Sequence, residues 1–276
     1  MRTLILITAL AAIASAQPQR PRITGVSRYV IYAHDMDKSR VFYHDFLGFG
    51  ESSAGVFKVN ERQSIEVIPE KKPNSDRLDH FVLETSDVEA MRAYLQANGV
   101  PMHGSEVTDP DGHVIEFAHH GPDASGLSDA RISKRMAHVG ILVGSLGPAM
   151  KFYGTVLGFK EIWRGSKDGK TLNWVNMRVP DGLDYLEFML YDRYPAARLG
   201  TLHHVCLEVP DIDKAKAELE TRAARIGYTR PLQITTGTNR KRQMNLYDPD
   251  GTRSEVMEPN TIDGKPTPPA TAPPPR

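Results

Sequence analysis

The sequence predicts an α+β protein of four βαβββ modules, forming two tandem domains with half-open, curved mixed sheets. Three observations carry this. The octet Phe42-Tyr43-His44-Asp45-Phe46-Leu47-Gly48-Phe49 returns as Phe152-Tyr153-Gly154-Thr155-Val156-Leu157-Gly158-Phe159, an offset of 110 residues that also relates Arg28 to His138. The segment Asp79-His80-Phe81-Val82-Leu83-Glu84 returns 124 residues later as His203-His204-Val205-Cys206-Leu207-Glu208. Asp-Pro-Asp-Gly closes both of these second units, at residues 109–112 and 248–251. Similarity at fixed offsets marks repeated supersecondary units, and one helix with a few short strands cannot seal a core alone, so units must pair.

In chain order, Arg2, the apolar run Leu4 to Ile13 and Ala14-Ser15-Ala16 have the layout of a secretory leader over residues 1–16, which implies export to a periplasm or the medium. The run is too short to span a bilayer, and no later stretch reads as a span. The first domain, residues 22–120, opens with the strand Tyr29-Val30-Ile31-Tyr32 and a helix capped by Asp35. Ser39, Phe42, Tyr43, Phe46 and Leu47 fall on one helical face, and Gly48 supplies the left-handed residue that ends it. The second domain, residues 136–258, repeats the plan with Val139 to Val143, a cap at Ser145 and an end at Gly158. Residues 121–135, beginning Gly121-Pro122-Asp123, read as a linker, and the Pro-, Thr- and Ala-rich residues 259–276 as a disordered tail.

Lys+Arg 34 against Asp+Glu 34 removes the electrostatic footprint of a nucleic-acid binder. Cys206 is the only cysteine, so no disulfide forms within the chain.

Together, the strand-initial histidines, the Phe-Tyr-x-x-x-Leu-Gly-Phe helix end and the Asp-Pro-Asp-Gly-x-x-x-Glu terminus resemble the vicinal oxygen chelate (VOC) superfamily of glyoxalases, bleomycin and fosfomycin resistance proteins and extradiol dioxygenases. The resemblance spans residues 24–258. It implies a divalent metal, iron, nickel, zinc or manganese, held by His138, His204 and Glu255, with Glu187 as a further ligand or general base. It implies in turn a metal-dependent enzyme that binds a small substrate through neighbouring oxygens, as a monomer or homodimer. A metal-free ligand-sequestering protein of the bleomycin-resistance type is the alternative.

Two imidazoles and a carboxylate on one face suit a divalent metal with open positions, although any one strand histidine by itself is better explained as a satisfied core residue. The first domain keeps Glu66, His80 and Glu116 but has Arg28 at the first ligand position. A guanidinium has no lone pair to give, so this copy is expected to be inert, with Arg28 paired to Glu66 or Glu116. A swapped site made of His138, His80 and Glu116 stays open at this level. His203 is expected on the face opposite His204, Cys206 as a small buried side chain, His119 and His120 at the surface, and Trp163, Trp174, Asn176, Met189, Tyr191 and Arg193 as walls of the cup. Against glyoxalase I, Leu142 and Tyr191 stand where that branch holds glutathione with an arginine and an asparagine. Against the ring-cleaving dioxygenases, Asn245 stands where they carry an acid-base tyrosine.

Overall fold

The computed structural model describes residues 18–70, 76–191, 202–265 and 267; the expected leader and most of the expected tail lie outside them. The first half forms a seven-stranded sheet. Its strands are β1 (Ile23–Ala33), β2 (Gly50–Ser53), β3 (Val56–Lys58), β4 (Ser64–Pro69), β5 (Leu78–Thr85), β6 (Glu106–Thr108) and β7 (Val114–Ala118), in the order β2-β3-β4-β1-β5-β7-β6. The second half forms an eight-stranded sheet from β8 (Arg135–Val143), β9 (Lys160–Gly165), β10 (Trp174–Arg178), β11 (Tyr185–Leu190), β12 (His204–Glu208), β13 (Ile234–Thr236), β14 (Lys241–Tyr247) and β15 (Arg253–Thr261). Its order is β13-β14-β15-β12-β8-β11-β10-β9. The missing strand of the second module is replaced by an isolated bridge between His103 and Glu106.

Among the described residues, helices that back the sheets are α1, which begins at Met36–Arg40, α2 (Val88–Ala97), α3, which begins at Leu146–Ala149, and α4 (Ile212–Ile226). Where the periodicity predicts a uniform α-helix, α1 and α3 widen into π-helical turns over Val41–Phe46 and Met150–Val156. The Leu47 amide accordingly reaches back five residues to the Phe42 carbonyl, at 2.9 Å. Gly48 and Gly158 end the two helices at φ 77° and 78°, as their place in the repeat requires. Strand alternation sends Val139, Ile141 and Val143 of β8 into one continuous apolar core shared by both halves, and His138, Gly140 and Leu142 to the opposite face.

Two boundaries move. Strand β8 starts at Arg135, inside the expected linker, and β15 runs to Thr261, so Pro259, Asn260 and Thr261 belong to the sheet rather than to a disordered tail. Pairing with β14, where Thr261 stands opposite Lys241, overrides the composition of this segment. No helix among the described residues is long and apolar enough to cross a membrane.

The halves are clasped reciprocally. Tyr43 OH donates to Asp248 at 3.2 Å, and its repeat equivalent Tyr153 donates to Asp109 at 2.8 Å. The His34 amide binds Asp250 and the Gly144 amide binds Asp111, at 2.8 and 3.1 Å. Each Asp-Pro-Asp-Gly turn is therefore held by the first helical region of the other half.

Candidate metal centre

Four strands bring the site together, and register decides which side chains meet. Across the second sheet, one row runs Asn176, Glu187, Gly140, His204 and Arg253, and the next runs Tyr185, His138, Cys206, Glu255 and Asn245. Residues two apart on a strand share a face, so both rows open on the concave side. His138 Nε2 lies 3.1 Å from His204 Nε2 and 3.4 Å from Glu255 Oε2. His204 Nε2 is 3.6 Å from Glu255 Oε2 and 3.5 Å from Glu187 Oε2. The four residues expected from sequence thus converge within one half, and the swapped alternative with His80 and Glu116 is not formed.

Burial and charge set the chemistry. His204 is fully buried; burial, reinforced by the Arg253 guanidinium, pushes its pKa down to about 3, so it stands as a neutral imidazole with a lone pair to offer. Its Nδ1 lies 2.9 Å from the Leu202 carbonyl and 2.6 Å from Arg253 Nη2. A guanidinium only donates, so these neighbours favour opposite tautomers. Donation from Nδ1–H to Leu202 is the form that leaves Nε2 available to a metal. Burial alone would raise Glu255, but hydrogen bonds with His138 and His204 outweigh it and hold the carboxylate well below its ordinary range. Glu187 is pushed the other way by burial, with the Glu255 charge adding to the rise. Two carboxylates in one site are thereby driven apart.

The donor set suits a divalent cation. His138 Nδ1 is buried without a hydrogen-bond partner, and two ring nitrogens face one another across a gap that neither fills. His138, Glu187 and His204 place one donor atom each within 4.8 Å of one another, as do His138, Cys206 and Glu255. Cys206, expected as a plain core residue, is buried but also lies in this shell; its sulfur could serve as a ligand.

Sequence reasoning missed Gly140. A Cβ there would overlap the His204 ring, so the glycine is the space in which that ligand sits. The signal was present, since Gly140 shares a face with His138, but only the register reveals what lies against it.

The site opens into a cleft of about 380 Å³ whose lining includes Trp163, Trp174, Glu187, Tyr191, Arg253 and Glu255. Met189 also lines it. Asn176 and Asn245 each have a buried amide oxygen without a partner. Arg193, expected in this wall, lies outside the described residues. His203 faces away from the cup, and His119 and His120 are exposed.

The first half closes its equivalent site with its own charges. Arg28 Nη1 lies 2.8 Å from Glu66, and His80 binds Asp79 at 2.5 Å and Glu116 at 3.4 Å. Burial opposes protonation of His80, but the two carboxylates prevail and raise its pKa to about 9. A raised imidazole stabilises the fold fully below its unfolded value and loses that contribution as pH climbs through about 9. Urea unfolding at pH 7 and pH 10 is therefore expected to show a loss about 1–2 kcal/mol larger in the wild type than in His80→Gln, the partial exposure of the ring discounting the full shift.

A sequence model of the Glyoxalase/Bleomycin resistance protein/Dioxygenase superfamily matches residues 25–117 and 135–256. No curated protein matches the chain. Among solved structures, the chain is similar to the 2,3-dioxygenase LapB from Pseudomonas sp. KL28, at 16% identity and TM-score 0.70, covering 92% of this chain and 99% of that one. It is also similar to homoprotocatechuate 2,3-dioxygenase from Brevibacterium fuscum in complex with 3,4-dihydroxyphenylacetate, at 19% identity and TM-score 0.68, covering 93% and 87%. At such identities the structural likeness speaks for the fold, while the two matched segments place the chain: it belongs to the Glyoxalase/Bleomycin resistance protein/Dioxygenase superfamily.

Proposed function

We propose that the second half is a metal-dependent enzyme acting on a small aromatic substrate with two neighbouring oxygens, and that its reaction is oxygen-dependent ring cleavage. The supporting observation is the convergence of His138, His204 and Glu255 at the floor of a cleft walled by Trp163, Trp174 and Tyr191. Two histidines and one carboxylate with open positions are the donor set of non-haem iron oxygen chemistry. A bound cation would polarise the paired oxygens as a Lewis acid, and iron would add redox capacity.

The chain's own residues orient the substrate and move its protons. The flat walls of the cleft admit a planar ring and limit water around it. Glu187 Oε2, raised by burial, is placed to take the proton that a hydroxyl gives up on binding. Asn245 itself cannot exchange a proton, so the acid-base duty falls on Glu187. If residues 1–16 are removed as a leader, the activity is an exported one.

A second reading, an isomerase or lyase of the glyoxalase kind, is favoured by Glu187 standing within reach of His138 and His204 as a fourth ligand. Glu187→Gln separates the two. As a base, its loss lowers kcat by about 10²–10⁴-fold with metal content unchanged. As a ligand, its loss lowers metal affinity first. Oxygen uptake from catechol-type diols with ferrous iron supports ring cleavage; anaerobic turnover with nickel, zinc or manganese overturns it.

A further inference from the structure

At the seam between the halves, away from the cup, two more histidines meet. His113, in the turn leading into β7, and His203, just before β12, are 8% and 2% exposed, and their Nε2 atoms are 3.3 Å apart. His113 Nδ1 is 2.7 Å from Asp109 Oδ2, and His203 Nδ1 is 2.9 Å from Asp76 Oδ1. A carboxylate acceptor at each Nδ1 favours the tautomer that carries the proton there and offers the lone pair of Nε2. Two such lone pairs aimed at one another in a buried place repel unless a positive species lies between them.

The molecule supplies its own comparison. In the cup, His138 and His204 have Nε2 atoms 3.1 Å apart, ring centroids 5.2 Å apart and planes at 89°. At the seam the corresponding values are 3.3 Å, 5.1 Å and 79°. Metal–nitrogen bonds of about 2.0–2.1 Å in a tetrahedral site place two ligand nitrogens roughly 3.3 Å apart. Each seam imidazole also has the carboxylate behind it that metal-binding histidines commonly use. A cleft of about 300 Å³, lined by Asp76, Asp79, Asp111, His113 and His203 among others, adjoins the pair and leaves room for water or an anionic ligand at the remaining positions.

We propose that His113 and His203 form a second divalent-metal site, open to solvent on one side and bridging the two halves of the chain. Imidazole nitrogens with oxygen donors suit a late first-row cation, and zinc is the probe of choice.

The full chain, stripped with chelator and dialysed against micromolar zinc, is expected to retain two equivalents by elemental analysis. His138→Ala and His113→Gln should each retain one, and the double variant none. Zinc should raise the Tm of His138→Ala and leave that of the double variant unmoved. In the unaltered chain, cobalt should shift the ring-proton resonances of His113 and His203, a readout that does not depend on a variant folding. A wild-type chain with no equivalent that responds to His113→Gln, cobalt that leaves those resonances in place, or binding seen only at millimolar zinc overturns the proposal. Loss of the equivalent that responds to His138→Ala, with the other kept, would instead count against the metal-dependent reading of the cup alone.

Discussion

His138→Ala is expected to abolish stoichiometric metal binding in the cup and to lower turnover on the order of a thousandfold or more, the several kcal/mol that a bound cation contributes to a developing negative charge. The effect is large because no neighbour can replace the ring: Glu187 stands in the row of His204 and Cys206 in the row of Glu255, and neither brings a second imidazole to the centre. Truncation also leaves Glu255 without one of the two imidazoles that keep its carboxylate ionised, so its pKa should rise. Elemental analysis and steady-state kinetics on the same preparation check both parts. Undiminished ligand binding by His138→Ala, with no metal in the wild type, would favour the sequestering protein over the enzyme.

Gly140→Ala is expected to impair the same centre while leaving every ligand in the sequence. The added methyl would occupy the space of the His204 ring, and His204, fully buried between β8 and β15, has little room to retreat. Displacing a ligand from its set orientation costs about 10–100-fold in metal affinity. Overpacking this buried strand adds roughly 1–3 kcal/mol of destabilisation. Isothermal titration with zinc and urea unfolding measure the two separately. Unchanged affinity would mean that His204 does not need the position it occupies.

Much of this was legible in the chain because repeats constrain one another. The 110-residue offset ties Arg28 to His138, and so identified which copy could hold a cation before any coordinate was known. Charge compatibility did the rest: a guanidinium beside Glu66 and a protonated His80 between two carboxylates are the stable outcome of losing the first ligand. What escaped the sequence depends on register or on contact between the halves. Gly140 looked like part of an apolar run, because a strand does not announce which side chain crosses over it. Strand alternation puts His203 on the face opposite His204, as the structure bears out, but it does not reveal that the seam on that side holds His113, a residue 90 positions distant. The π-helical turns were hidden as well, since one additional residue in a turn hardly alters the apolar periodicity of so short a helix.

The paired bonds from Tyr43 to Asp248 and from Tyr153 to Asp109 bear on how such a chain is put together. Each copy gives a tyrosine to the other's polar loop, so this is the contact pattern of a symmetric pair of molecules that happens to be joined by a tether. Cutting that tether near Gly121 should cost the assembly its covalent link but not its recognition, and two fragments made separately would be expected to find each other in solution and restore the seam between them.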